Sequence, residues 1–234
     1  MIPAPPLVTL HVWRLPRRTA GLAFPRMAID PPRLRRLPGV RFAKLLGTGT
    51  GTGFGPGDAD LTRFAAVVSW DTPGGGDLGA VGRAWERLAG GSEVRVDLTP
   101  LVSRGRWSGV APFGEPHGRA TGTVLALTRA RLRPARALTF WKAVPPVARE
   151  LHAAPGLLAR FGIGEAPVGW QGTVSVWRDA ADLTAFAYRQ PEHRAVIART
   201  PAARWYAEDL FARFAVRAIH GDKAVLSWRE EGER

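Results

Sequence analysis

Five histidines, His11, His117, His152, His193 and His220, are the side chains of this chain best suited to holding a transition metal, because the sequence contains no cysteine. No HxxxH or HxxE pair occurs among them, so the spacing gives little support to a site built from several imidazoles. His193 stands apart: it follows Pro191 and Glu192 in a predicted helix that already carries Ala185, Phe186 and Tyr188. One neutral imidazole on a helix facing a pocket is what a b-type haem asks of a protein, since the porphyrin supplies the other four ligands. Arg104 and Arg106 flank Gly105 just before Trp107. Guanidinium forks suit bidentate recognition of carboxylates, haem propionates included. Glu165 is the carboxylate of the Gly-Ile-Gly-Glu strand with an inward position. His193 is thus the candidate iron ligand, and Arg104, Arg106 and Trp107 are the candidate cofactor contacts. Arg104, Arg106 and Glu165 are the candidate catalytic groups, while Trp70, Trp107, Phe113 and Trp177 are candidate walls of an apolar substrate pocket. Plainer readings stay open beside these: a lone histidine on a surface or in a core, and a turn with a buried tryptophan.

Two glycine-rich segments invite nucleotide readings and resist them. Residues 74–79 fit GxGxxG, with Asp97 at about the distance of a ribose contact. Asp71, Thr72 and Pro73 nevertheless separate the preceding strand from the glycines, and the corresponding turn at 178–181 has no glycine. Residues 47–55 alternate glycine strictly and lack the GK[ST] ending of a phosphate loop, which predicts a connection whose backbone can approach a ligand.

The elements that must position these groups are set by a repeat. Pro38-Gly39-Val40-Arg41-Phe42-Ala43-Lys44-Leu45-Leu46-Gly47 returns 117 residues on as Pro155-Gly156-Leu157-Leu158-Ala159-Arg160-Phe161-Gly162-Ile163-Gly164. Each copy leads to a strand ending in Trp70 or Trp177, then to a helix opening on Asp77-Leu78 or Asp182-Leu183. A period of half the chain implies two fused copies of one unit rather than a solenoid. Alternation predicts strands over 7–15, 42–47, 64–70 and 93–101, helices over 21–37 and 78–88, and a glycine-rich loop over 47–57. The second half repeats the order: strands over 123–132, 159–164, 173–177 and 210–219, with helices over 139–153 and 181–197. Each half is therefore a ferredoxin-like βαββαβ unit. Two such sheets cover each other's bare faces by closing into an intramolecular dimeric α+β barrel. The expected organisation is 1–107 for the first half, 108–122 for a linker, 123–222 for the second, cofactor-binding half and 223–234 for a C-terminal tail.

Composition narrows the chemistry further. The absence of cysteine excludes disulfides, thiolate zinc sites, iron–sulfur clusters and covalent c-type haem. No signal segment and no run of 18 apolar residues is evident, which predicts a cytoplasmic protein. The net charge of +13 comes almost wholly from arginine, for only Lys44, Lys142 and Lys223 are lysines, and asparagine is absent. Such a bias fits GC-rich codons as well as a basic face, so nucleic acid is an unlikely partner. The clusters Arg14/Arg17/Arg18 and Arg33/Arg35/Arg36 read either as a solvated basic face or, as the best functional reading, as attraction to an anionic membrane surface giving peripheral contact.

The sequence resembles the spheroidene monooxygenase family of carotenoid ketolases. The resemblance runs through Ala23-Phe24, Lys44-Leu45 with 47–54, the 103–109 segment with Pro112-Phe113, and Phe161-Gly162-Ile163-Gly164-Glu165. It continues through His193, Ala195 and Ile197 to Trp205, Glu208 and 212–216. It implies a haem b oxygenase that hydroxylates an apolar polyene or isoprenoid-like substrate towards a ketone, with His193 as axial ligand. Molecular oxygen would be the co-substrate and a ferredoxin-like protein the electron donor. Ala43 and Leu46 depart from the family pattern. A haem-dependent dehydratase or peroxidase-like enzyme, and a non-enzymatic barrel for apolar ligands, are the alternatives.

Overall fold

A computed structural model describes residues 3–50, 56–119, 121–137, 139–140, 151, 153–165, 170–189 and 204–229. Eight antiparallel strands close into a barrel: β1 (Leu7–Arg14), β2 (Val40–Gly49), β3 (Ala59–Trp70), β4 (Glu93–Gly105), β5 (Val124–Leu132), β6 (Leu157–Gly164), β7 (Trp170–Trp177) and β8 (Tyr206–Gly221). Around the barrel they run β1-β3-β2-β6-β7-β5-β8-β4, so each half contributes four contiguous strands. The halves meet at two seams, β4 with β8 and β2 with β6. At the second seam the two copies of the repeated segment pair with each other. Gly47 lies opposite Gly164, its own equivalent, so the pseudo-twofold axis passes between them.

Alternation along each strand sends one set of side chains into the barrel and the other outwards. In β1, Val8, Leu10 and Val12 point inwards, and they join Val67, Val96, Leu125, Phe161, Val174 and Phe214 in the central core. The opposite set, Leu7 and Trp13, packs with Phe64, Val68 and Trp70 beneath the helices of the first half. Those helices are α1 (Arg17–Ala20), α2 (Ala23–Arg35) and α3 (Gly79–Ala89). In α3, Val81, Trp85 and Ala89 recur at helical spacing on the buried side, and Gly90 ends the helix in the left-handed conformation. On the second half, α4 (Ala180–Arg189) brings Leu183 and Phe186 against Trp177, Val124 and Ala126.

Both barrel ends are stopped by irregular chain. At one end the 3-10 turn Lys223–Leu226 inserts Val225 and Leu226 into the core, so the stretch expected as a tail is in part a plug. Its backbone and Ser227 are tied to Arg63, which is 2% exposed and also donates to Thr48 Oγ1 and the Gly49 carbonyl. At the other end, Trp107 closes the first half and the expected linker folds back after it, so that Trp107 and Phe113 are buried in the same core.

The glycine-rich loop expected from residue 47 begins later, because Gly47, Thr48 and Gly49 extend β2 and pair with β6. The GxGxxG turn holds no nucleotide geometry: Gly76 packs against the Arg95 guanidinium, and Asp97 is engaged by that same arginine at 2.6 Å. Most of the helix expected over 139–153, and the 190–197 part of the helix over 181–197, lie outside the described residues. No helix among the described residues is long and apolar enough to cross a membrane.

Candidate active site

Inward positions near the Trp107 end carry charge where the rest of the barrel carries hydrocarbon. Lys44 shares its side of β2 with Phe42 and Leu46, Arg129 follows Leu125 and Leu127 on β5, Glu165 follows Phe161 and Ile163, and Glu208 precedes Leu210. These four form one network. Glu165 accepts from Lys44 Nζ at 2.5 Å, from Trp107 Nε1 at 2.7 Å and from Arg129 Nη2 at 2.8 Å. Arg129 also donates to Glu208. Glu208 in turn accepts from the backbone N–H groups of Ser108 and Gly109, and Lys44 donates to Ser108 Oγ. Burial acts to raise the Glu165 pKa, but Lys44, Trp107 and Arg129 outweigh it and hold this carboxyl below its ordinary range. Glu208 is likewise lowered: burial opposes the shift, and the Gly109 and Ser108 N–H groups with Arg129 win. Glu165 is therefore an ionised anchor with its acceptors occupied, which suits it to positioning Trp107 better than to taking a proton.

The four aromatics expected to enclose one pocket are not brought together. Trp107 and Phe113 lie in the barrel core, Trp70 in the helix-covered layer of the first half and Trp177 in that of the second. Strand alternation is the reason, since Trp70 and Trp177 occupy outward positions. Trp70 Nε1 donates to Thr9 and Trp177 Nε1 to Ser175. The two candidate arginines also separate: Arg104 stacks its guanidinium over Phe211 at 5.2 Å on the outer face of the second half, while Arg106 turns to the Gly109 carbonyl. His193 lies outside the described residues.

The outer faces of the halves are equivalent by register and opposite in filling. Trp13 pairs with Phe64 in the first half; the corresponding pair in the second is Ala130 with Gln171. Leu45 pairs with Ala66, and its counterpart Gly162 with Thr173; Ala43 pairs with Val68, and its counterpart Arg160 with Ser175. Large hydrocarbon at Trp13, Phe64 and Leu45 is thus replaced by alanine, glutamine and glycine, while Arg160 brings a cation where the first half has Ala43. Among the described residues, two buried atoms on this second face have no hydrogen-bond partner, Gln171 Nε2 and Arg213 Nε. One row across it runs Val102, Arg213, Ala126, Ser175, Arg160, and the next begins with Arg104 and Phe211. Val102 also lines an open groove of about 580 Å³ with Leu101, Ser103 and residues 115–119, including His117 and Arg119. No group of three His, Asp or Glu side chains among the described residues gathers as a metal site.

Sequence reasoning missed Arg129, Arg213 and Gln171. Arg129 had a visible signal, a charge in phase with the apolar residues of Leu-Ala-Leu-Thr-Arg. Gln171 and Arg213 had none, because an orphaned atom is a property of packing.

A closed barrel of two fused βαββαβ units, the outer face of one packed with large hydrocarbon and that of the other mixing small and polar residues, defines a single-chain dimeric α+β barrel protein. Solved structures share this architecture. An aldoxime dehydratase superposes with TM-score 0.56 at 12% identity, covering 90% of this chain and 80% of its own. An aldoxime dehydratase in complex with butyraldoxime gives TM-score 0.54 at 10% identity, covering 90% and 79%. No family model matches the chain. Relatives by sequence are closer: spheroidene monooxygenase of Rhodobacter capsulatus is 36% identical over 192 residues, 79% of this chain and 78% of that protein. The Rubrivivax gelatinosus enzyme of the same name is 35% identical over 190 residues, 79% and 72%. The chain belongs to the spheroidene monooxygenase family.

Proposed function

We propose that this protein is a haem-dependent monooxygenase that hydroxylates an apolar carotenoid or other polyene towards a ketone, with haem b held on the outer face of the second half. The observation that carries the reading is the contrast between the two outer faces. Where the first half places Trp13, Leu45 and Phe64, the second places Ala130, Gly162 and Gln171, which fits a flat, largely apolar group laid on the sheet. Trp177, Leu183 and Phe186 offer it hydrocarbon, and Arg213 with Arg104 offers cationic donors to its carboxylates. His193, in the sequence following α4, would be the residue that holds the iron. When bound, the group would supply oxygen activation at iron.

The chain's own residues then orient and exclude. The Glu165–Arg129–Glu208 network clamps Ser108 and Gly109 and fixes the loop just after Arg104. The filled barrel core keeps water from approaching the sheet from behind. Oxygen is the co-substrate, and electrons come from a separate donor such as a ferredoxin. The test is expression with haem supply and the absorption spectrum of the purified protein. A Soret band that His193→Ala abolishes and Arg213→Met leaves with about tenfold weaker haem affinity is expected. A protein colourless after haem loading overturns the reading. Turnover without consumption of oxygen and reductant would move it to dehydratase chemistry.

A further inference from the structure

The helices covering the first half present an outward side that nothing in the catalytic reading uses. In α2 the stripe Ala23, Met27, Asp30, Leu34 faces the sheet. The opposite side exposes hydrocarbon: Leu22, which precedes the helix, is 57% exposed and Ile29 49%, with Pro25 and Ala28 exposed between them, and on the flank Phe24 is 52% exposed while its ring meets that of Phe64 edge to face. Leu61 is 58% exposed at the start of β3, where its neighbour Thr62 accepts from Leu15 at the entry to α1. Between Leu22 and Pro32 the only charged side chains are Arg26 and Asp30, and they pair with each other at 3.1 Å. Exposed arginines bound the apolar stretch on both sides, Arg17 and Arg18 before it and Arg33, Arg35 and Arg36 after it. Residues 15–40 contain one acidic side chain, the buried Asp30.

We propose that α1 and α2 are a docking surface for an anionic lipid bilayer. Leu22, Phe24 and Ile29 enter the boundary between headgroups and acyl chains, and the flanking arginines meet lipid phosphates. An apolar helix side between basic ends is the pattern of a helix lying in the membrane interface. Each arginine near an anionic leaflet strengthens binding about fivefold. A second copy of this chain is the poorer occupant, because a twofold contact here would set arginine clusters against each other. The outer faces of the two halves look in opposite directions, so docking through the first leaves the second half free of the membrane.

The test requires neither haem nor substrate, so its failure is separable from that of the catalytic reading. The full chain is floated with vesicles of phosphatidylcholine alone, or of phosphatidylcholine with about a third phosphatidylglycerol. Binding is expected only to the anionic vesicles and falls with salt. Arg35→Gln with Arg36→Gln weakens it about thirtyfold, whereas the charge-matched Arg136→Gln with Arg217→Gln, on exposed arginines outside α1 and α2, changes it little. Leu22→Gln with Phe24→Gln and Ile29→Gln weakens it at least about tenfold while circular dichroism is unchanged. Because the chain lacks cysteine, Ile29→Cys labelled with an environment-sensitive dye gives a single reporter. Its emission shifts to the blue on anionic vesicles, and the same label at Val110→Cys does not. Equal binding to both vesicle types, an unmoved Ile29 label, or concentration-dependent dimerisation abolished by the apolar triple variant overturns the proposal.

Discussion

Arg129 is a cation taken out of water, with 2% of its side chain exposed, and Glu165 and Glu208 answer it. Arg129→Met should cost about 3 kcal/mol in chemical denaturation, because two partly buried carboxylates lose their shared cation. Both carboxyls are held below their ordinary pKa, so their contribution is present above about pH 4.5 and is lost as pH falls through the lowered folded values. The cost of the variant should therefore be largest where both carboxyls are ionised, above about pH 4.5, and shrink as pH falls through their range. His11 acts earlier on the same axis. Burial first, then the nearby Arg95, push its pKa down from 6.5 to about 3. Below about pH 6.5 the unfolded chain takes up a proton that the folded chain refuses, so folding weakens as pH drops. Between about pH 6 and 5 the native protein should lose up to about 1.4 kcal/mol more than His11→Phe, read from urea midpoints at each pH. At this scale the sequence was legible for Glu165, whose inward position followed from strand alternation. It was misleading for Trp70 and Trp177, which share a residue type with Trp107 but lie on the other side of the sheet.

The segment that crosses the barrel mouth depends on one backbone conformation. Gly105 has φ of 87°, and a methyl group there would run into the Asp209 carbonyl, so only glycine lets β4 stay paired with β8 before the chain turns back to bury Trp107. Gly105→Ala should cost about 3 kcal/mol and alter the near-ultraviolet dichroism of Trp107. The strands were legible because their residues alternate, and α3 because Val81, Trp85 and Ala89 keep helical spacing. Strand ends were not: β2 continues through Gly47 to Gly49 because pairing with β6 overrides the weak strand preference of glycine. The segment 108–122 was read as a linker, since proline and glycine content says nothing of where Phe113 lands.

Closure of the whole molecule rests on the C-terminal plug. Ending the chain after Gly221 would remove Val225 and Leu226 from the core and leave Arg63 without Ser227 and the Val225 carbonyl. The loss should be about 5 kcal/mol, or roughly 10–20 °C in Tm by calorimetry. The duplication was readable from the repeat, and with it the barrel, because two half-bare sheets have few other ways to be covered. The difference between the two outer faces was not, for it appears only when Trp13 and Ala130 are superposed by register.

The barrel is sewn unevenly. One seam runs from the Val94–Gly221 pair to the Gly105–Leu210 pair, whereas the other, among the described residues, holds at Gly47–Gly164, Thr48–Ile163 and Gly49–Gly162. Glycines dominate that short closure, so the Lys44–Glu165 pair and the inward Leu46 and Ile163 carry most of the side-chain contact across it. A cylinder with one long weld and one short clasp yields at the clasp. Amides at Thr48 and Ile163 should accordingly trade hydrogen for deuterium through partial opening, while those of β4 and β8 wait for the whole fold to come apart.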